Sequence, residues 1–126
     1  MNVVDSSAWL EYFADGPNAS YFAPAIEDVE RLIVPSLCLC EVFKRVLAQR
    51  GEGAALQAVA LMQQGTVADL DAATAIAAAK IGHERRLALA DSIVLATARY
   101  REATLWTQDA DFEGMDDVKY RKRASR

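Results

Sequence analysis

The sequence predicts an α/β fold with a mainly parallel central sheet. Three observations point there. Short apolar runs of strand length alternate with longer segments of helical pattern. No hairpin turn signal joins one strand-like run to the next, so the connections are crossovers through helices. The chain has 126 residues, 52% of them hydrophobic, which suits one compact domain with a sizeable core.

The elements follow in order. Residues 1–4 are apolar and read as a buried strand ending at Asp5. A short helix is expected over 8–13, then a break at Asp15, Gly16, Pro17 and Asn18. Residues 19–31 carry a helical pattern in which Pro24 must sit in the first turn or interrupt the helix. Leu32, Ile33 and Val34 form a second strand, closed by Pro35. Ser36 is placed as the N-cap of a helix over 37–50, with Gly51 as its stop signal. A further helix fits 53–64, and a third strand fits 66–70. Asp71 can cap an Ala-rich helix running to about Glu84. Another helix covers 90–100 with Asp91 in its first turn, and a fourth strand covers 103–107. A short turn or helix starts at Asp109, and Val118 belongs to a last edge strand. The whole is read as a single domain, 1–126, ending in a short basic tail, 119–126.

Composition limits the function. The start lacks the basic and long apolar regions of a signal peptide, and no uninterrupted apolar stretch is long enough to span a membrane. A cytoplasmic location without membrane contact is expected. Cys38 and Cys40 point to different faces of one helix, so they should not pair and are read as small buried hydrophobes. The formal charge is −4. The tail carries five basic residues and no acid, which leaves nine basic against 18 acidic residues elsewhere. An acidic body cannot hold nucleic acid by phosphate contacts alone, so either cations sit among the acids or nucleic acid is not the substrate.

The acids fall in an informative pattern. Asp5 is the only charge in residues 1–10, Glu41 the only one in 32–43, and Asp91 the only one in 87–98. Each is a lone carboxylate in an apolar segment, and buried carboxylates need a partner. Each also has a purely structural reading. Asp5 can cap a helix, Asp91 can complement a helix dipole, and Glu41 can pair with Lys44 or Arg45. Asp109 follows the fourth strand as Asp5 follows the first, and ligands of parallel α/β sheets bind at the carboxyl ends of strands. Asp91 can enter there from a helix N-terminus and Glu41 from the first turns of its helix. Two such carboxylates about 5 Å apart at an effective dielectric near 20 repel by roughly 3 kcal/mol. They must take up protons or bind metal, and an all-oxygen set suits Mg²⁺ or Mn²⁺. The single histidine, His83, lies on a polar stretch and reads as a solvated surface residue, so histidine-based nucleophilic chemistry is not expected.

These residues carry a resemblance. Asp5-Ser6-Ser7 after the first strand resembles the opening motif of PIN-domain nucleases. Residues 35–42, Pro-Ser-Leu-Cys-Leu-Cys-Glu-Val, resemble their second motif, with Glu41 as its acid. Residues 89–98, Leu-Ala-Asp-Ser-Ile-Val-Leu-Ala-Thr-Ala, resemble the third, with Asp91. Residues 107–112, Thr-Gln-Asp-Ala-Asp-Phe, resemble the fourth, with Asp109. Order and spacing are similar to those of VapC-type toxins of type II toxin–antitoxin modules. Trp106 and Gln108 depart from the family's usual residues at their positions.

The resemblance implies a three-layer α/β/α fold and Mg²⁺- or Mn²⁺-dependent endoribonuclease activity on single-stranded or structured RNA. It also implies a homodimer and a cognate antitoxin that blocks the site. The expected reaction is metal-assisted hydrolysis. Asp5, Asp91 and Asp109 are the candidate direct metal ligands, and Glu41 is expected to bind directly or through water. The hydroxyls of Ser6 and Thr107 support them. Asp111 is an extra candidate acid, with an alternative role as a turn residue. Two other functions stand beside this one. A receiver-type signalling domain would need a paired acid after the first strand and a lysine after a late strand, where this chain has Asp5 alone and Gln108-Asp109. A catalytically silent PIN-like binding or assembly module would keep the fold and lose the chemistry.

Overall fold

The computed structural model describes residues 1–124, so the last two residues of the basic tail, Ser125 and Arg126, lie outside the described residues. Five strands form one sheet: β1 (Asn2–Val4), β2 (Leu32–Pro35), β3 (Thr66–Ala68), β4 (Thr104–Thr107) and β5 (Val118–Tyr120). Every pairing is parallel, in the order β3-β2-β1-β4-β5. The chain moves outward from β1 through β2 to β3, then crosses back to β4 on the other side of β1. The direction of winding therefore reverses between β1 and β4. At that point the connecting loops diverge and leave a crevice at the carboxyl ends of the strands. A receiver-type sheet has β1 between β2 and β3. The observed order excludes that fold.

Six helices flank the sheet: α1 (Ser6–Phe13), α2 (Ala19–Glu27), α3 (Ser36–Arg50), α4 (Glu52–Met62), α5 (Ala72–Arg85) and α6 (Leu89–Tyr100). With this strand order, the right-handed rule for parallel crossovers puts α1 to α4 on one face and α5 with α6 on the other. The core joins both layers through Val3, Val4, Trp9, Phe22, Ile33, Val34, Leu95 and Leu105, all fully or nearly fully buried. The indole N–H of Trp9 has no hydrogen-bond partner among the described residues.

Several local expectations change. The pattern over 19–31 breaks at Asp28, and Val29–Arg31 form a 3-10 turn. Pro24 neither starts nor interrupts α2 but sits in its second turn. The N–H it lacks would have served Ser20, which is exposed, so water can satisfy that carbonyl. Ser36 is the first residue of α3 and not its cap. Pro35 holds the cap position, and no side chain bonds there. Gly51 ends α3 at φ 88, a value that favours glycine. Cys38 is buried as expected, but Cys40 is exposed because the two-residue offset turns it out of the core. His83 is exposed, as its polar surroundings indicate.

The basic tail is docked along its first residues. Lys119 and Tyr120 belong to β5, and the Arg121 N–H donates to the Thr107 carbonyl at 2.9 Å. Lys119 lies 4.6 Å from the Trp106 ring centroid and Arg121 4.9 Å from that of Tyr21. Among the described residues, no helix is long and apolar enough to cross a membrane.

Candidate active site

Asp5 is the first residue beyond β1, at the winding reversal, and its N–H still donates to the Trp106 carbonyl of β4 at 3.1 Å. It is the most buried of the acids, at 5% exposure. Its Oδ1 accepts from the Ser7 hydroxyl and from the Ala8 N–H at 3.2 Å, so it also caps α1. Its Oδ2 accepts from the Thr107 hydroxyl at 2.6 Å. Burial raises its pKa above 3.8, the Ser7, Thr107 and Ala8 donors oppose that shift, and the Asp109 charge adds to it.

Asp109 follows β4. The Thr107 oxygen that donates to Asp5 also accepts the Asp109 N–H at 2.9 Å, which ties the two strand ends together. Asp109 Oδ1 accepts the Asp111 N–H at 2.9 Å and caps a 3-10 turn over Ala110–Phe112. This turn carries Asp111 into the cluster. Asp91 arrives from the first turn of α6, where a carboxylate also complements the helix dipole. Ligand oxygens of Asp91, Asp109 and Asp111 all lie within 4.8 Å of one another. Glu41 lies on the second turn of α3, and its Oε1 accepts from the Ser6 hydroxyl at 2.8 Å.

The acids share one field. The Asp91 carboxyl is pushed up to about 7, first by burial and then by Asp109, Asp5, Asp111 and Glu41. Five carboxylates thus meet at one crevice, although only Asp5 is fully buried. Glu41, Asp91 and Asp109 are half-buried, and Asp111 is exposed. The lone-acid pattern finds Asp5, Glu41 and Asp91 because apolar neighbours isolate them. Asp111, beside Asp109 in a turn, carries no such contrast.

A buried polar chain that local pattern does not reveal supports the site. The Gln108 N–H donates to the Ser7 hydroxyl at 3.3 Å, and its Nε2 donates to the Ser7 carbonyl at 3.3 Å. Asn18, a break residue in sequence terms, is buried. Its Nδ2 donates to Gln108 Oε1 at 3.1 Å and to the Lys122 carbonyl at 2.9 Å.

A PIN domain family match spans residues 3–118 of the chain. The chain belongs to the PIN-domain family. Solved structures agree in fold with this PIN domain. A toxin–antitoxin complex from Klebsiella pneumoniae matches with a TM-score of 0.78 and 21% identity, covering 94% of this chain and 96% of that one. The Sarcin-Ricin loop cleaving toxin VapC20 of Mycobacterium tuberculosis matches with 0.76 and 19%, covering 94% and 98%. The DNA-bound VapBC of Salmonella typhimurium matches with 0.74 and 16%, covering 96% of each chain. No curated protein matches this chain by sequence.

Proposed function

We propose that this PIN domain is a divalent-metal-dependent endoribonuclease and the toxin of a VapBC-type toxin–antitoxin pair. The observation that carries the reading is the convergence of five carboxylates at the crevice between β1 and β4, three with oxygens within 4.8 Å. The matched structures, which include a toxin–antitoxin complex and a Sarcin-Ricin loop cleaving toxin, support the assignment to such a pair. An antitoxin and a homodimeric assembly belong to the same reading.

The donor set fits a hard cation. It is all oxygen and clustered, and burial, with the neighbouring carboxylates adding to it, raises Asp91 to about 7. Asp5, Glu41, Asp91 and Asp109 would hold Mg²⁺ or Mn²⁺, and Asp111 would join them, since its oxygens lie within 4.8 Å of those of Asp91 and Asp109. A bound cation supplies positive charge against the scissile phosphate and activates water for hydrolysis. The chain's own groups set the geometry. Thr107 bridges Asp5 and Asp109, Ser6 orients Glu41, and the Ser7 and Ala8 donors fix the position of Asp5. Asp91 must release its proton to act as a ligand, so metal affinity rises with pH through about 7.

The test is cleavage of single-stranded RNA in Mg²⁺ or Mn²⁺. Asp91→Asn and Asp5→Asn should each lower the rate by orders of magnitude while the fold persists. Full activity in both variants would make the acids structural. A wild-type chain that binds an antitoxin but cuts no RNA would be a silent binding module.

A further inference from the structure

A cleft of about 720 Å³ runs between α1, α3 and α4 and reaches the acid site through Ser7 and Gln108. These two residues serve both places. The Ser7 hydroxyl donates to Asp5 and accepts the Gln108 N–H, and both residues line the cleft. Three arginines line it as well, Arg45, Arg50 and Arg123, against one acid, Glu11. Glu11 is turned back on the chain, where its Oε2 accepts the Asn18 N–H at 2.7 Å. All three arginines are exposed. In a protein of net charge −4, this is a local excess of positive charge beside a crowd of carboxylates. Leu10 and Phe13 add apolar surface to the lining.

Arg123 is placed there by a built device. Asn18 and Gln108 are both buried, and the Asn18 amide ties Gln108 to the Lys122 carbonyl. Buried amides with satisfied partners fix one geometry. The C-terminal segment is therefore pinned one residue before Arg123.

We propose that this cleft holds the phosphate backbone of the RNA strand beside the scissile bond. Arg45, Arg50 and Arg123 are its phosphate contacts, and Asn18 is the positioning residue that sets Arg123. The inference rests on the nuclease reading above. A strand entering an acidic site needs neighbouring positive charge to be retained. Guanidinium groups match phosphate in planar, bidentate fashion. An apolar floor with an aromatic ring lets unpaired bases stack without sequence preference.

The experiment uses the full chain carrying Asp91→Asn in Mg²⁺, with a fluorescently labelled single-stranded RNA of about a dozen nucleotides and binding read by anisotropy across a salt series. Arg45→Gln with Arg50→Gln, and separately Arg123→Gln, should each raise Kd several-fold. Each lost phosphate contact should flatten the slope of log affinity against log salt by about 0.7. Arg99→Gln, at the far end of α6, should change neither. Asn18→Ala should weaken binding as Arg123→Gln does, and combining the two should add nothing further. An unchanged Kd and slope in the arginine variants, while the wild-type chain cuts RNA, overturns the cleft and leaves the nuclease reading standing. A wild-type chain that neither binds nor cuts RNA removes both. Arginine variants that keep RNA but lose an acidic, leucine-bearing peptide would assign the cleft to a protein partner and overturn the proposal.

Discussion

The Asp5 carboxylate caps α1 and faces the acidic crevice at once, so its structural and functional readings are not alternatives. Asparagine caps a helix about as well as aspartate, which makes Asp5→Asn a test of chemistry more than of folding. Asp91 gives a pH signature. Its folded pKa, about 7, lies above the ordinary 3.8. A carboxyl of that kind binds its proton more tightly in the native state, so it stabilises the fold below pH 3.8 and loses that contribution as pH rises through about 7. Buried Asp5 is shifted in the same direction. In EDTA the melting temperature should fall from about pH 4 to pH 7 through these groups. Asp91→Asn should flatten that fall and raise stability near pH 8 on the order of 1 kcal/mol, allowing for solvent screening of a half-buried group. A thermal melt series in EDTA measures it. A variant no more stable than wild type at pH 8 would contradict the crowding of the acids.

At the scale of elements, the first turn of α6 is held in place by close packing against α5. A Cβ added at Gly82 in α5 would collide with the Ser92 hydroxyl. Ser92 is itself buried and donates to the Ala88 carbonyl at 2.9 Å, so moving it aside would break that bond. Helix propensity alone would make Gly82→Ala stabilising by about 1 kcal/mol. Overpacking costs about 1–3 kcal/mol and should outweigh it. The expected result in a denaturant melt is net destabilisation of about 1 kcal/mol. RNA cleavage should fall as well, because Ser92 adjoins Asp91. A stabilised, fully active Gly82→Ala variant would show that the helix pair yields easily.

For the whole molecule, the winding reversal between β1 and β4 brings distant acids together, and a cation bound among them would relieve their repulsion and add to stability. Mn²⁺ at ten times its binding constant should stabilise the chain by about 1.4 kcal/mol in a thermal melt. An unchanged melt across a wide Mn²⁺ titration would remove the shared metal site. The surface also carries unpartnered apolar side chains, with Ile76 on α5 73% exposed and Leu89 at the start of α6 72% exposed. Leu56 on α4 is exposed too. A second copy covering such residues would bury them, and sedimentation at tens of micromolar should show a dimer. A monomer there would withdraw the homodimer from the proposed function.

The α/β class, the parallel character of the sheet and three of the candidate acids, Asp5, Glu41 and Asp91, are legible in the sequence because they depend on local contrast, and Asp109 is legible from its place after a strand. Strand-length apolar runs, helical periodicity and a lone charge among apolar neighbours all show within about a dozen residues. The tertiary structure alone decides how these pieces meet. Nothing local states that β4 returns beside β1, yet that return sets Thr107 against Asp5 across 102 positions. Nor does local pattern mark Asn18, whose partner Gln108 lies 90 positions away. Asp111 reads either as an extra acid or as a turn residue until Asp109 caps the 3-10 turn and Asp91 comes within reach. Periodicity reports which face of an element is apolar. The order of strands, and with it the membership of the site, follows from packing between elements far apart in the chain.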